Sequence, residues 1–99
     1  MNLFLLGASH HSSPVNLRER IDFTRRGVIE ALAELAKLPG LSEAVILSTC
    51  NRSEIYAACD DPRQMRETLA TFLSTYHDVP ESELTPHLYT RTNADAARH

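Results

Sequence analysis

A chain of 99 residues has room for one small domain and no second core. Its 42% hydrophobic and 23% charged residues exclude disorder driven by low hydrophobicity, and no apolar run approaches the roughly 20 residues that span a bilayer. A formal net charge of -3 argues against a protein that grips nucleic acid by bulk electrostatics, since that needs clustered Lys and Arg.

Leu3 to Ala8 is a short apolar run ending in Gly7-Ala8-Ser9, the pattern of a buried first strand. A polar loop follows, Ser9-His10-His11-Ser12-Ser13-Pro14. Leu17 to Ile21 suits a short helical turn, and Thr24 suits the N-cap of a longer helix whose apolar positions are Val28, Leu32, Leu35 and Leu38. Arg18, Arg20, Arg25 and Arg26 in this region are one local candidate for RNA contact, though a solvated helix face explains them as well. Pro39-Gly40 stops the helix. Ala44-Val45-Ile46-Leu47 reads as a buried second strand. Ile55, Ala57 and Cys59 alternate with Glu54, Tyr56 and Ala58, the period of a half-buried third strand.

Asp60-Asp61-Pro62 opens a second long helix with Met65, Leu69, Phe72, Leu73 and Tyr76 as its apolar stripe, and Pro80 bars its continuation. His87 to Thr92 is a weaker strand candidate, and Asn93 to Arg98 reads as a helix start that the 99 residues have no room to complete. The order strand, helix, strand, strand, helix, strand predicts an α+β, ferredoxin-like split βαβ fold, an antiparallel sheet with helices on one face. Without a basic n-region or a small-residue cleavage site at Met1-Asn2-Leu3-Phe4, the expected compartment is the cytoplasm.

The second and third strands are joined by Ser48-Thr49-Cys50-Asn51-Arg52-Ser53, with neither the glycine nor the proline that a hairpin usually wants. Cys50 is expected at the tip of this connection, beside a cation, Arg52, able to raise the thiolate fraction or to fork onto a carboxylate. From composition alone two readings of Cys50 stand, a nucleophile and a small buried hydrophobe. For Cys59, on the strand face shared with Ile55 and Ala57, core packing is explanation enough. The two thiols match no metal or redox spacing and are expected reduced. Of the five histidines, His10 and His11 would approach the Cys50 turn if the first strand is central, or else line a solvated loop. His77 suits a helix end, His87 has no distinguishing context, and local sequence gives His99 none.

Three glycines, at Gly7, Gly27 and Gly40, permit neither a dinucleotide fingerprint nor a P-loop. Most of the six aromatics fall at core positions, with no strand pair left over to stack bases.

Gly7-Ala8-Ser9-His10-His11-Ser12-Ser13-Pro14-Val15, then Leu17-Arg18-Glu19-Arg20, then Leu47-Ser48-Thr49-Cys50-Asn51-Arg52-Ser53-Glu54-Ile55-Tyr56 closely resemble the N-terminal domain of glutamyl-tRNA reductases. The resemblance implies the first step of five-carbon tetrapyrrole synthesis, in which glutamyl-tRNA is reduced with NADPH to glutamate-1-semialdehyde. It implies that Cys50 is the nucleophile, that Thr49, Asn51 and Arg52 bind the glutamyl group, and that His99 matches a histidine important for activity, acting as acid-base or in positioning the ester. It further implies a longer, homodimeric protein whose NADPH-binding and dimerisation domains lie outside this chain, with no cofactor or metal site in the 99 residues. Alone, the chain is expected to be a monomer that forms a thioester and makes no aldehyde. Glutamyl-tRNA is the implied partner, with glutamate-1-semialdehyde aminomutase as a further candidate and no membrane. The competing reading from another class is a non-catalytic RNA-binding or regulatory module, because ferredoxin-like folds host many functions.

Overall fold

The computed structural model describes residues 2–9, 20, 27–49 and 52–98. Its first strand, β1 (Asn2–Ser9), leads to helix α1 (Val28–Leu35) and then to the hairpin strands β2 (Leu41–Ser48) and β3 (Arg52–Cys59). Helix α2 (Pro62–His77), a single turn α3 (Glu81–Leu84), a 3-10 turn (Thr85–His87), strand β4 (Tyr89–Thr92) and helix α4 (Asn93–Arg98) complete it. The sheet order is β2-β3-β1-β4, with every neighbouring pair antiparallel. β3 therefore lies between the strands that α1 connects, and β1 between those that α2 connects, which is the split βαβ, ferredoxin-like arrangement.

Strand alternation sorts the side chains onto two faces. Phe4, Leu6 and Ala8 of β1 join Ile55, Ala57 and Cys59 of β3 in one buried cluster with Ala31 and Leu35 of α1 and Met65, Leu69, Phe72, Leu73 and Tyr76 of α2. Ala44 and Ile46 of β2 pack against the same cluster. The apolar stripe read from the sequence of α2 is thus its core face. Asp61 caps that helix, its carboxylate accepting from the backbone N–H of Arg63 at 3.0 Å and of Gln64 at 3.4 Å, while Pro62 occupies a first-turn position that needs no donor. The helix ends after His77, where Asp78 turns left-handed at φ 55° and the N–H of Val79 returns to the carbonyl of Ser74.

Three expectations change. The described helix α1 begins after Gly27, which holds its N-cap at φ 98°, and Leu38 falls in the turn beyond its end; Thr24 lies outside the described residues. β2 is longer than its apolar run and is not buried: Val45 is 62% exposed and Leu47 39%, because β2 is an edge strand and these two residues point away from the helices. His87 belongs to the 3-10 turn, so β4 starts at Tyr89.

Cys59 is fully buried at the end of β3, where desolvation, with the charges of Asp60 and Asp61 adding to it, pushes its thiol pKa up. A buried neutral thiol reacts slowly. A Cys50→Ser variant is therefore expected to show no rapidly modified thiol in a colorimetric disulfide-exchange assay until denaturant is added; fast modification of the native variant would contradict the packing of Cys59.

Candidate functional site

At one end of the β2–β3 hairpin the backbone N–H of Thr49 donates to the carbonyl of Arg52 at 2.8 Å, and the N–H of Arg52 donates to Thr49 Oγ1 at 3.2 Å. The threonine hydroxyl thus closes the end of the ladder. These bonds bracket Cys50 and Asn51, both of which lie outside the described residues, as do His99, His10 and His11. One pair inward, Ser48 Oγ and Ser53 Oγ stand 3.3 Å apart. Ser9 pairs with Arg52, so central β1 runs toward the hairpin end of the sheet.

Arg52, Glu54 and Tyr56 alternate along β3 and share the face turned away from the core cluster. Glu54 is fully buried even so. Its Oε1 lies 3.6 Å from a guanidinium nitrogen of Arg52, whose side chain stays 41% exposed, and accepts from the Tyr56 hydroxyl at 3.5 Å. Its Oε2 accepts a hydrogen bond from the hydroxyl of Tyr89 on β4. A buried carboxylate is tolerated only when a cation and donors surround it, and among the described residues Arg52 and the two phenols contribute to that.

Gly7 makes the arrangement sterically possible. The register aligns Glu54 of β3, Gly7 of β1 and Tyr89 of β4 in one row across three strands. A Cβ on Gly7 would come within 2.7 Å of Glu54 Cγ, 3.1 Å of Tyr89 Cζ and 3.1 Å of the Ser53 carbonyl oxygen. The absent side chain is the space through which the phenol reaches the carboxylate.

Of the residues singled out from sequence, Thr49 and Arg52 are brought together. Arg20 is turned elsewhere, in an ion pair with Glu83 at 3.0 Å, while Arg18, Arg25 and Arg26 lie outside the described residues. His77 ends α2 with its ring edge-on to Tyr76. The aromatic accounting is corrected: Tyr56 and Tyr89 are not core residues but stand half-buried on the opposite face of the sheet, because the register pairs them with Leu5 and Gly7 of β1, positions that alternate with the core-facing Phe4, Leu6 and Ala8. The guanidinium carbon of Arg91 covers the Tyr89 ring at 5.5 Å from its centre. Glu54, Tyr89 and Gly7 escape a linear reading. The Arg52-Glu54-Tyr56 spacing is the one available signal, since alternate strand residues share a face.

Chemically, Arg52 is a cation whose partner is buried and whose remaining surface meets solvent, a geometry that holds a planar anion with little reordering. Among the described residues no group of three metal-ligating side chains occurs, and no helix is long and apolar enough to cross a membrane.

Both phenols are held above their ordinary pKa of 10.0, chiefly by desolvation and then by the charge of Glu54 and the hydrogen bond to it, with Arg52 pulling the other way. The unfolded chain therefore releases these protons first. The associated stability is complete below about pH 10 and is lost as pH rises through the folded-state values. Denaturant midpoints are expected to fall above about pH 10, and to fall less in Tyr89→Phe. A second measurement addresses the packing: Gly7→Ala should lose about 1–3 kcal/mol in denaturant unfolding, since its new methyl has no room beside Glu54. An unchanged midpoint would show that the carboxylate can move aside.

Comparisons with known proteins bear on the family and the fold. Residues 6–99 match the family model described as the N-terminal domain of glutamyl-tRNA(Glu) reductase. The chain is similar over its whole length, at 46% identity, to 22% of a glutamyl-tRNA reductase of Syntrophotalea carbinolica. Its fold is similar to that of glutamyl-tRNA reductase from Methanopyrus kandleri, with a TM-score of 0.70 and 28% identity over 98% of this chain and 20% of that one. The chain thus spans about a fifth of the length of the relatives it matches. On the family match and the fold together, this chain belongs to the glutamyl-tRNA reductase N-terminal domain family.

Proposed function

We propose that this domain is the acyl-accepting module of a glutamyl-tRNA reductase, in which Cys50 takes the glutamyl group from glutamyl-tRNA as a thioester. The observation that supports it most is the bracketing of Cys50 by the Thr49–Arg52 bonds, with the cation of Arg52 tied to a buried carboxylate beside it. In this reading the Cys50 thiolate attacks the ester carbonyl, a C–S bond forms, and the bond to the ribose oxygen breaks. The departing ribose oxygen takes a proton and tRNA leaves. Arg52 holds the carboxylate of the glutamyl side chain, Thr49 and Asn51 contact the rest of that group, and His99 supplies the proton or orients the ester.

The described residues do not suit NADPH. A dinucleotide site needs a glycine-rich turn from a strand into a helix beside a parallel strand, whereas every strand pair here is antiparallel. Reduction to glutamate-1-semialdehyde is accordingly assigned to the remainder of the longer reductase, as are dimer contacts.

The test is acyl transfer. Incubation with glutamyl-tRNA labelled in its amino acid should yield a hydroxylamine-labile protein adduct that is absent from Cys50→Ser. Arg52→Lys, which keeps the charge but loses the fork, should lower the acylation rate at limiting substrate by about ten- to a hundredfold, the equivalent of about 1.5–3 kcal/mol for a charged hydrogen bond. Label retained by Cys50→Ser would favour a non-catalytic RNA-binding module instead.

A further inference from the structure

Glu54 meets Arg52 and Tyr56 of its own strand through one oxygen, Oε1, and Tyr89 of β4 through the other. The terminal torsion of a glutamate side chain is broad, so a carboxylate held by one partner can swing. Two phenols meet this one, and they are not equivalent. Tyr56, on the same strand, reaches Oε1 only at 3.5 Å, the outer limit of a hydrogen bond, and shares that oxygen with Arg52. Tyr89 donates to Oε2 from a different strand, across Gly7, and shares that oxygen with neither Arg52 nor Tyr56. Its own ring is held by the register of β4 on β1 and by Arg91 above it.

We propose that Tyr89 is a positioning residue for the Arg52 guanidinium: its hydroxyl fixes one oxygen of Glu54, which aims the other at Arg52, and so sets the preference for an acidic over a neutral acyl group. This rests on the reading of Arg52 as the ligand of the substrate carboxylate. The consequence follows from geometry. A fork binds a planar anion in two parallel bonds only when its plane is already set. The Arg52 side chain is 41% exposed, and its contact with Glu54 lies on the buried side. With the phenol hydroxyl removed, Glu54 Oε2 loses the donor that β4 supplies, the buried carboxylate is freer to turn, and Arg52 turns with it.

Two readouts test this on the 99-residue chain. The first is the ratio of Cys50 acylation rates from glutamyl-tRNA and from glutaminyl-tRNA, which differ in the charge of the acyl side chain. Tyr89→Phe should lower this ratio about tenfold, or about 1.4 kcal/mol of discrimination, with the loss in apparent affinity rather than in maximal rate. Tyr56→Phe should lower it less. The second is the Nε–H resonance of Arg52 in 15N NMR, expected to be dispersed and slow to exchange in the wild type and in Tyr56→Phe, and to join the exposed arginines in Tyr89→Phe. Should Tyr89→Phe lack a cooperative unfolding transition, Glu54→Gln takes its place, with the same loss of discrimination expected.

An unchanged ratio together with an unchanged Arg52 resonance, in a folded variant, overturns the proposal. Absence of any Cys50-dependent label in the wild type defeats the acyl-transfer reading and with it the selectivity, while the Arg52 resonance still decides whether Tyr89 positions the guanidinium.

Discussion

The rest of the site depends on a single buried charge. Glu54 sits where no water reaches it, and an ionised carboxylate in such a place is costly unless cation and donors are supplied together. Supplying them constrains three strands at once: β3 contributes Arg52 and Tyr56, β4 contributes Tyr89, and β1 must contribute no side chain at all, which is why Gly7 stands in that row. A slip of one residue between β1 and either neighbour would turn the carboxylate, the gap or the phenol to the opposite face.

That constraint divides the sheet by purpose. The face toward α1 and α2 is packed with aliphatic side chains, and it supplies the hydrophobic driving force of a domain this small. The opposite face carries the polar row and, at the edge, the exposed Val45 and Leu47. Stability and the polar site thus occupy opposite sides of the same strands, coupled through the register of central β1. The hairpin whose end bonds bracket Cys50 in sequence is anchored through β3, which pairs along its length with both β1 and β2.

Length and secondary-structure order were legible because they follow local rules. The stripe Met65, Leu69, Phe72, Leu73, Tyr76 shows its helix at a glance, Asp61-Pro62 announces its start, and the alternation ending in Cys59 shows a strand and its inner face. From the order of elements the ferredoxin-like arrangement followed. Within the candidate site, Thr49 and Arg52 were legible as polar residues around a thiol in a turn without glycine, and the family resemblance supplied the rest of that local set.

Burial was read less well than periodicity, and for a physical reason. Alternation assigns a face to each residue but does not say how deeply that face is covered: Glu54 and Val45 both point away from the core cluster, yet Glu54 is closed in with Arg52, Tyr56 and Tyr89 against it, while Val45 stands open on the edge strand. What the amino-acid sequence determined by itself is the set of elements, their inner faces and the polar hairpin around Cys50, all of which depend on neighbours within a few positions. What only the tertiary structure decided is the meeting of Glu54, Gly7 and Tyr89. Tyr89 is 35 residues from Glu54 in the chain, and only the register of β1 against two strands at once brings them to the same point.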